Sequence, residues 1–162
     1  MTERRINVGN ELPQVFGQLR DIRDLVEKAA VEAGLDMRLI ELVKIRASQI
    51  NGCAYCLDLH TRDARRLGED DRRLHLVAAW WETDLYSPQE RAALALTETI
   101  SKLSQSQDVP DDLYAEATSV FTKEQYTAVV WSISVINTFN RLAVTSRKPL
   151  PARVAWTQEG TP

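Results

Sequence analysis

Cysteine and histidine are nearly absent from this chain: two of each in 162 residues. Two cysteines rule out a multi-disulfide scaffold. A structural zinc site wants two ligand pairs, and outside the segment holding both cysteines and His60 the only further imidazole is His75. Glycine and proline number six each, too few for a turn-rich β fold or a disordered chain. No window approaches eighteen consecutive apolar residues, so no membrane-spanning helix is expected. The start, "MTERRINVGNELPQ", lacks the apolar core of a secretory signal, which makes the cytoplasm the expected location. Basic tracts with interleaved aromatics are missing and the net charge is −3, so no nucleic-acid partner is expected.

What is present is helical periodicity. Hydrophobic residues make up 44% and charged residues 27%, enough apolar material for one domain spanning 1–162 with a real core. Val15, Leu19, Ile22, Val26 and Ala29 step by four and three, which predicts a helix buried along that face and stopped at Gly34. A second helix is predicted from about Met37 to Asn51. It is apolar on most sides and therefore central, with Glu41, Lys44 and Ser48 as a narrow polar strip. Asn51-Gly52 is a turn pair, and a third helix then carries Cys56, Leu57, His60, Ala64 and Leu67 to Gly68. "DDRRLHLVAAWW" predicts a fourth helix. "SPQE" at 87–90 is a capping box that opens a fifth, with Ala93, Leu96, Ile100 and Leu103 inward. Pro110 opens a sixth, and "TKEQ" at 122–125 caps a long seventh. No strand or internal repeat is evident. The fold class is all-α, six or seven helices, with a loose proline-containing tail from about 149.

"NGCAYCLDLH", residues 51–60, concentrates the scarce residues. Cys53 and Cys56 form a Cys-x-x-Cys pair. If the helix begins near Cys53, both thiols lie in its first turn, where free backbone N–H groups and the helix dipole favour thiolate. Three residues apart, their sulfurs can bridge with little backbone movement. A thiolate that attacks an O–O bond and a second thiol that traps the sulfenic acid are what peroxide reduction requires. His60 follows Cys56 by four and shares its helix face, so it can take the thiol proton. Glu41, folded back through the Asn51-Gly52 turn, is the candidate to orient that imidazole. Other readings stand beside this one. The cysteines could be inert core residues. His60 could pair with Asp58 or Asp63, and Glu41 with Lys44, as surface ion pairs. Cys53, Cys56, His60 and Glu41 could hold zinc, although the expectation is no metal. A thioredoxin-like fold needs βαβ context, and this chain has helices on both sides.

Glu41, eleven residues, Cys53, two residues, Cys56, three residues, His60: this spacing resembles that of the AhpD-like alkylhydroperoxidases within the carboxymuconolactone decarboxylase superfamily. "WWETDLYSPQERAALALTE" at 80–98 and "INTFNRLAV" at 136–144 also look like segments of that family. The resemblance implies an all-helical, cofactor-free peroxidase that assembles into homo-oligomers, commonly trimers or hexamers. It implies Cys56 as attacking thiol, Cys53 as resolving thiol, and Glu41–His60 as proton relay. It implies a hydroperoxide substrate and a dithiol reductant such as a lipoyl protein or a thioredoxin-like donor. The founding type has a second His between the cysteines; Tyr55 stands there in this chain, which implies a shorter relay. The decarboxylase branch lacks the Cys pair, so lactone decarboxylation is not expected.

Tyr126, Val130, Ile133, Asn137 and Asn140 share a stripe of the last helix. The two asparagines need partners if buried; they either satisfy backbone groups or fix a helix–helix register, or they approach a subunit contact or the Cys56 pocket as outer members of the site, with Tyr55. Trp80 and Trp81 are adjacent and cannot share a face, so one is core and the other is free to pack at an interface or line the substrate entry. His75 is expected in solvent. Arg62, Arg65 and Arg66 are a solvated strip or a docking site for an acidic reductant protein. A second reading of the whole chain, from a different class, is an oligomeric redox-sensing or interaction module whose disulfide alters a surface without turnover.

Overall fold

The computed structural model describes residues 5–151. Within them the chain is all-helical, with no strand: α1 Val8–Glu11, α2 Pro13–Glu32, α3 Met37–Asn51, α4 Ala54–Arg66, α5 Asp71–Leu76, a 3-10 segment Val77–Glu82, α6 Pro88–Ser101, α7 Leu103–Ser106, α8 Asp111–Val120 and α9 Lys123–Thr145. The seven helices expected from periodicity are all there, the fourth in shortened form; α1 and α7 are additions about one turn long, too short for a periodic signal. The expected loose tail falls mostly outside the described residues; 149–151 carry no regular structure.

α3 is the axis of the molecule, packed against α4, α6 and α9. Leu39, Ile40, Val43 and Leu96 meet Ile133 and Val129 of α9 on one side. Leu42 and Ile45 meet Ala64, Leu74 and Leu94 on the other. Ala47 meets both cysteines, Ile136 and Ala143 in a third, smaller cluster. A helix surrounded in this way buries its polar strip too: Glu41, Lys44 and Ser48 are all inaccessible.

Helix starts follow their capping chemistry. Ser87 accepts from the Glu90 amide while the Glu90 carboxylate accepts from the Ser87 amide, and Thr122 and Gln125 repeat the exchange at α9. Three expectations need correction. Val15, Ile22 and Ala29 of α2 are exposed, because α2 lies on the outside and rests mainly on α1 and α9; Ala30 is its one fully buried residue. The fourth helix stops at Leu76, since Ala79 leaves helical geometry (φ −128°, ψ 33°). Leu103 lies beyond the end of α6 and is exposed.

Candidate active site

Gly52 ends α3 in the left-handed region (φ 67°), where a Cβ would be strained, and its amide closes on Ser48 and Gln49 carbonyls. The Cys53 amide bonds the Ser48 carbonyl at 2.9 Å, so the chain reverses within two residues. Cys53 is then the N-cap of α4, and its sulfur accepts from the Cys56 amide at 3.3 Å. The Cα atoms of Cys53 and Cys56 are 5.4 Å apart and the sulfurs are joined as a disulfide. That separation is ordinary for a disulfide.

The reversal lays α4 along α3 and brings His60 to Glu41. His60 Nδ1 lies 2.9 Å from Glu41 Oε2. The other oxygen, Oε1, accepts from Lys44 Nζ at 2.7 Å, and the same ammonium reaches Glu27 Oε1 of α2 at 2.5 Å. Glu41, Lys44 and His60 are 5%, 6% and 8% exposed, so this is a buried chain of charges rather than a surface pair. Burial pushes the Glu41 carboxyl up, but the His60 hydrogen bond and the charges of Lys44 and His60 outweigh it and hold Glu41 below its ordinary value. Burial pushes Lys44 down, and Glu41 and Glu27 together outweigh that and hold it above its ordinary value. Glu41 is thus a fixed anion. Its Oε2 accepts the Nδ1 proton and leaves His60 Nε2 as the free ring nitrogen.

Cys56 and His60 line one cavity of about 250 Å³ between α1, α2, α4 and α9. Its walls include Phe16, Leu59, Phe139 and Leu142. Phe16 and Phe139 meet edge to face at 5.8 Å, and this contact fastens α2 to α9. Cys53 does not line this cavity; it borders a separate cleft with Gly52, Ala54 and Arg147. Tyr55 stands between the two, its ring 3.9 Å beneath Lys148 Nζ. Cys56 thus shares a cavity with the imidazole, whereas Cys53 borders the other cleft.

Asn137 and Asn140 do not line either space. Asn51 Nδ2 donates to both their carbonyl oxygens at 2.9 and 3.0 Å; Asn137 donates to Ser101 and Asn140 to Ser48. They lock α3, α6 and α9 in register just before the Gly52 turn. The strip of arginines spends its charge locally: Arg62 on Asp58, Arg65 on Asp71 and Arg66 on Asp63. His75 is exposed. Trp80 packs inward and donates to Glu98, whereas Trp81 is exposed. Glu41, His60 and Asp63 place potential ligand atoms within 4.8 Å of one another, a set without either cysteine. Lys44 on Glu41 and Arg66 on Asp63 already supply the positive charge a metal would bring. Sequence reasoning missed Glu27, Phe16, Phe139 and Lys148. Only Lys44, three residues after Glu41, carried a spacing signal, and it pointed to a surface pair.

Residues 17–99 match the family model described as the carboxymuconolactone decarboxylase family. The curated protein YdfG of Bacillus subtilis (strain 168), itself uncharacterized, is 44% identical over 119 residues, 74% of this chain and 80% of YdfG. A solved structure from Agrobacterium tumefaciens, described as a candidate antioxidant defence protein AhpD, superposes with a TM-score of 0.84 at 33% identity, covering 93% of this chain and all of the other. The debrominase Bmp8 superposes with a TM-score of 0.74 at 16% identity, over 88% of this chain and 74% of its own; this is a likeness of fold. The chain belongs to the carboxymuconolactone decarboxylase family and is AhpD-like within it.

Proposed function

We propose that this protein is a thiol-dependent hydroperoxide reductase cycling between a Cys53, Cys56 dithiol and their disulfide. The observation that carries this reading is the shared cavity of Cys56 and His60, with His60 held by a buried, ionised Glu41. In the reduced protein His60 Nε2 takes the Cys56 proton. The thiolate attacks the distal oxygen of R–O–O–H. An S–O bond forms, the O–O bond breaks, and the alkoxide leaves with the proton from His60. Cys53 then attacks the sulfenic sulfur, forming the disulfide and releasing water. An external dithiol returns two electrons and two protons. A lipoyl or thioredoxin-like donor suits that last step, and a reducing cytoplasm would sustain it. A homo-oligomer, a trimer or a multiple of it, is part of the same reading.

The test is peroxide consumption with dithiothreitol or dihydrolipoamide in excess. Many turnovers per protein support an enzyme; one stoichiometric oxidation supports a redox sensor instead. Cys56→Ser is expected to abolish turnover. Cys53→Ser is expected to permit one oxidation and leave a trappable sulfenic acid at Cys56, because nothing remains to resolve it. Sulfenic acid trapped at residue 53 in Cys56→Ser would reverse the assignment.

A further inference from the structure

The cavity beside Cys56 is unusual in its charge. Arg20, Arg23 and Lys148 line it, and no Asp or Glu does. Arg23 is neutralised by Asp24 at 2.7 Å. Arg20 and Lys148 have no carboxylate partner among the described residues. Each is instead held over an aromatic ring: Arg20 5.8 Å from the Phe16 centroid, Lys148 between Tyr55 at 3.9 Å and Phe16 at 5.9 Å. A ring face attracts a cation without cancelling its charge. Five cations elsewhere, Lys44, Arg46, Arg62, Arg66 and Arg73, do meet carboxylates. In a chain of net charge −3, two cations without a carboxylate partner among the described residues flank a cavity that reaches Cys56 and the imidazole.

The walls between those cations and the sulfur are apolar. Phe16, Leu59, Phe139 and Leu142 offer a hydrocarbon surface, and the volume lies just below the usual range for small-molecule pockets. A ligand matching this lining has an electrophilic end at Cys56, a compact apolar body and an anionic end. We propose that the cavity binds small organic hydroperoxides bearing a carboxylate, with the body against Phe16 and Phe139 and the carboxylate on Lys148 and Arg20. The hydroperoxide end rests on the peroxidase reading above; the anionic end rests on the cations alone.

The cations have another conceivable role, which is to favour thiolate at Cys56. Ratios separate the two, because two electrophiles meeting the same thiolate share its abundance. One arm compares kcat/KM for cumene hydroperoxide and its para-carboxylate, with dithiothreitol as reductant. The carboxylate is expected to be preferred by about tenfold at low salt, the effect of one charge-assisted contact. That preference is expected to fall severalfold in Arg20→Gln with Lys148→Gln, and in about 0.5 M salt. The other arm needs no turnover. In the reduced protein, alkylation of Cys56 by iodoacetate and by iodoacetamide is followed by peptide mass spectrometry. The iodoacetate-to-iodoacetamide rate ratio is expected to exceed that of free glutathione and to fall in the double variant. Loss of all peroxide turnover in the wild type would sink the peroxidase reading, yet a raised ratio that falls in the variant would still support the anion site. A wild-type ratio no higher than that of glutathione, or one unchanged in the double variant, overturns it.

Discussion

Glu41 has two oxygens and uses each for a different partner: Lys44 on Oε1, His60 on Oε2. The i,i+3 pair and the relay, alternatives in the sequence, coexist because α3 is buried on all sides. The energetics follow from the sign of each shift. Glu41 is held below its ordinary 4.5, so its contribution to stability is present above that pH and is lost as pH falls through the folded value. The stability gap between wild type and Glu41→Gln, measured by urea denaturation, is therefore expected to be widest near neutral pH and to close in acid. Lys44→Met is expected to cost about 3–5 kcal/mol at pH 7, since it leaves two carboxylates facing one another without their cation. A cost below about 1 kcal/mol would mark the pair as an ordinary surface bridge. Reactivity gives a separate readout. Both His60→Ala and Glu41→Ala are expected to shift the pH profile of Cys56 alkylation upward, because the thiol loses its base or the anion that holds it. Three superimposable profiles would remove both residues from the mechanism.

At the scale of elements, the α3–α4 hairpin makes the site, and its turn is a single left-handed glycine. Nothing lies within 4 Å of a Cβ built on Gly52, so the penalty for a side chain there is backbone strain alone. Gly52→Ala is expected to destabilise the protein by about 1–2 kcal/mol in denaturant titrations and to slow reoxidation, since the same turn sets Cys53 as N-cap. Unchanged stability and reoxidation would show that the turn tolerates another geometry. The hairpin was legible in the sequence because its signals are local: Asn51-Gly52, the Cys spacing and the period of α3. The capping boxes at Ser87 and Thr122 were legible for the same reason. Glu27 and Lys148 were not, because they lie far along the chain from the partners they meet, Lys44 and Tyr55. Nor was the burial of α2, whose apolar stripe reads alike whether this chain covers it or not. Asn137 and Asn140 were legible as buried polar groups needing partners. Asn51, which satisfies both, looked only like part of a turn.

For the molecule as a whole, α2 is the element to explain. Its inner side supplies Phe16 and Arg20 to the cavity and Glu27 to the charge chain. Its outer side leaves Ile22 and Leu25 in solvent, Leu25 at 65% exposure, beside Trp131 of α9 at 54%. Between them runs a groove of about 630 Å³ whose rim carries both signs of charge: Lys123, Glu124 and Glu32. An apolar floor with a mixed rim suits a complementary patch on a second copy of this chain, where each charge can meet its opposite. Light scattering at micromolar concentration is expected to give a trimer or a multiple of the 18.4 kDa chain. Leu25→Glu with Trp131→Glu is expected to reduce that mass. A wild-type monomer would refute the assembly, and an unchanged mass in the variant would move the interface off this face. The consequence reaches the site. α2 is fastened within the chain mainly by α1 and α9, with Glu27 on Lys44 of α3, so a neighbour pressing on its outer side would steady Phe16 and Arg20 on the inner one. The dissociated variant is therefore expected to show a raised KM for organic hydroperoxide, with Cys56 alkylation by iodoacetamide left at its wild-type rate.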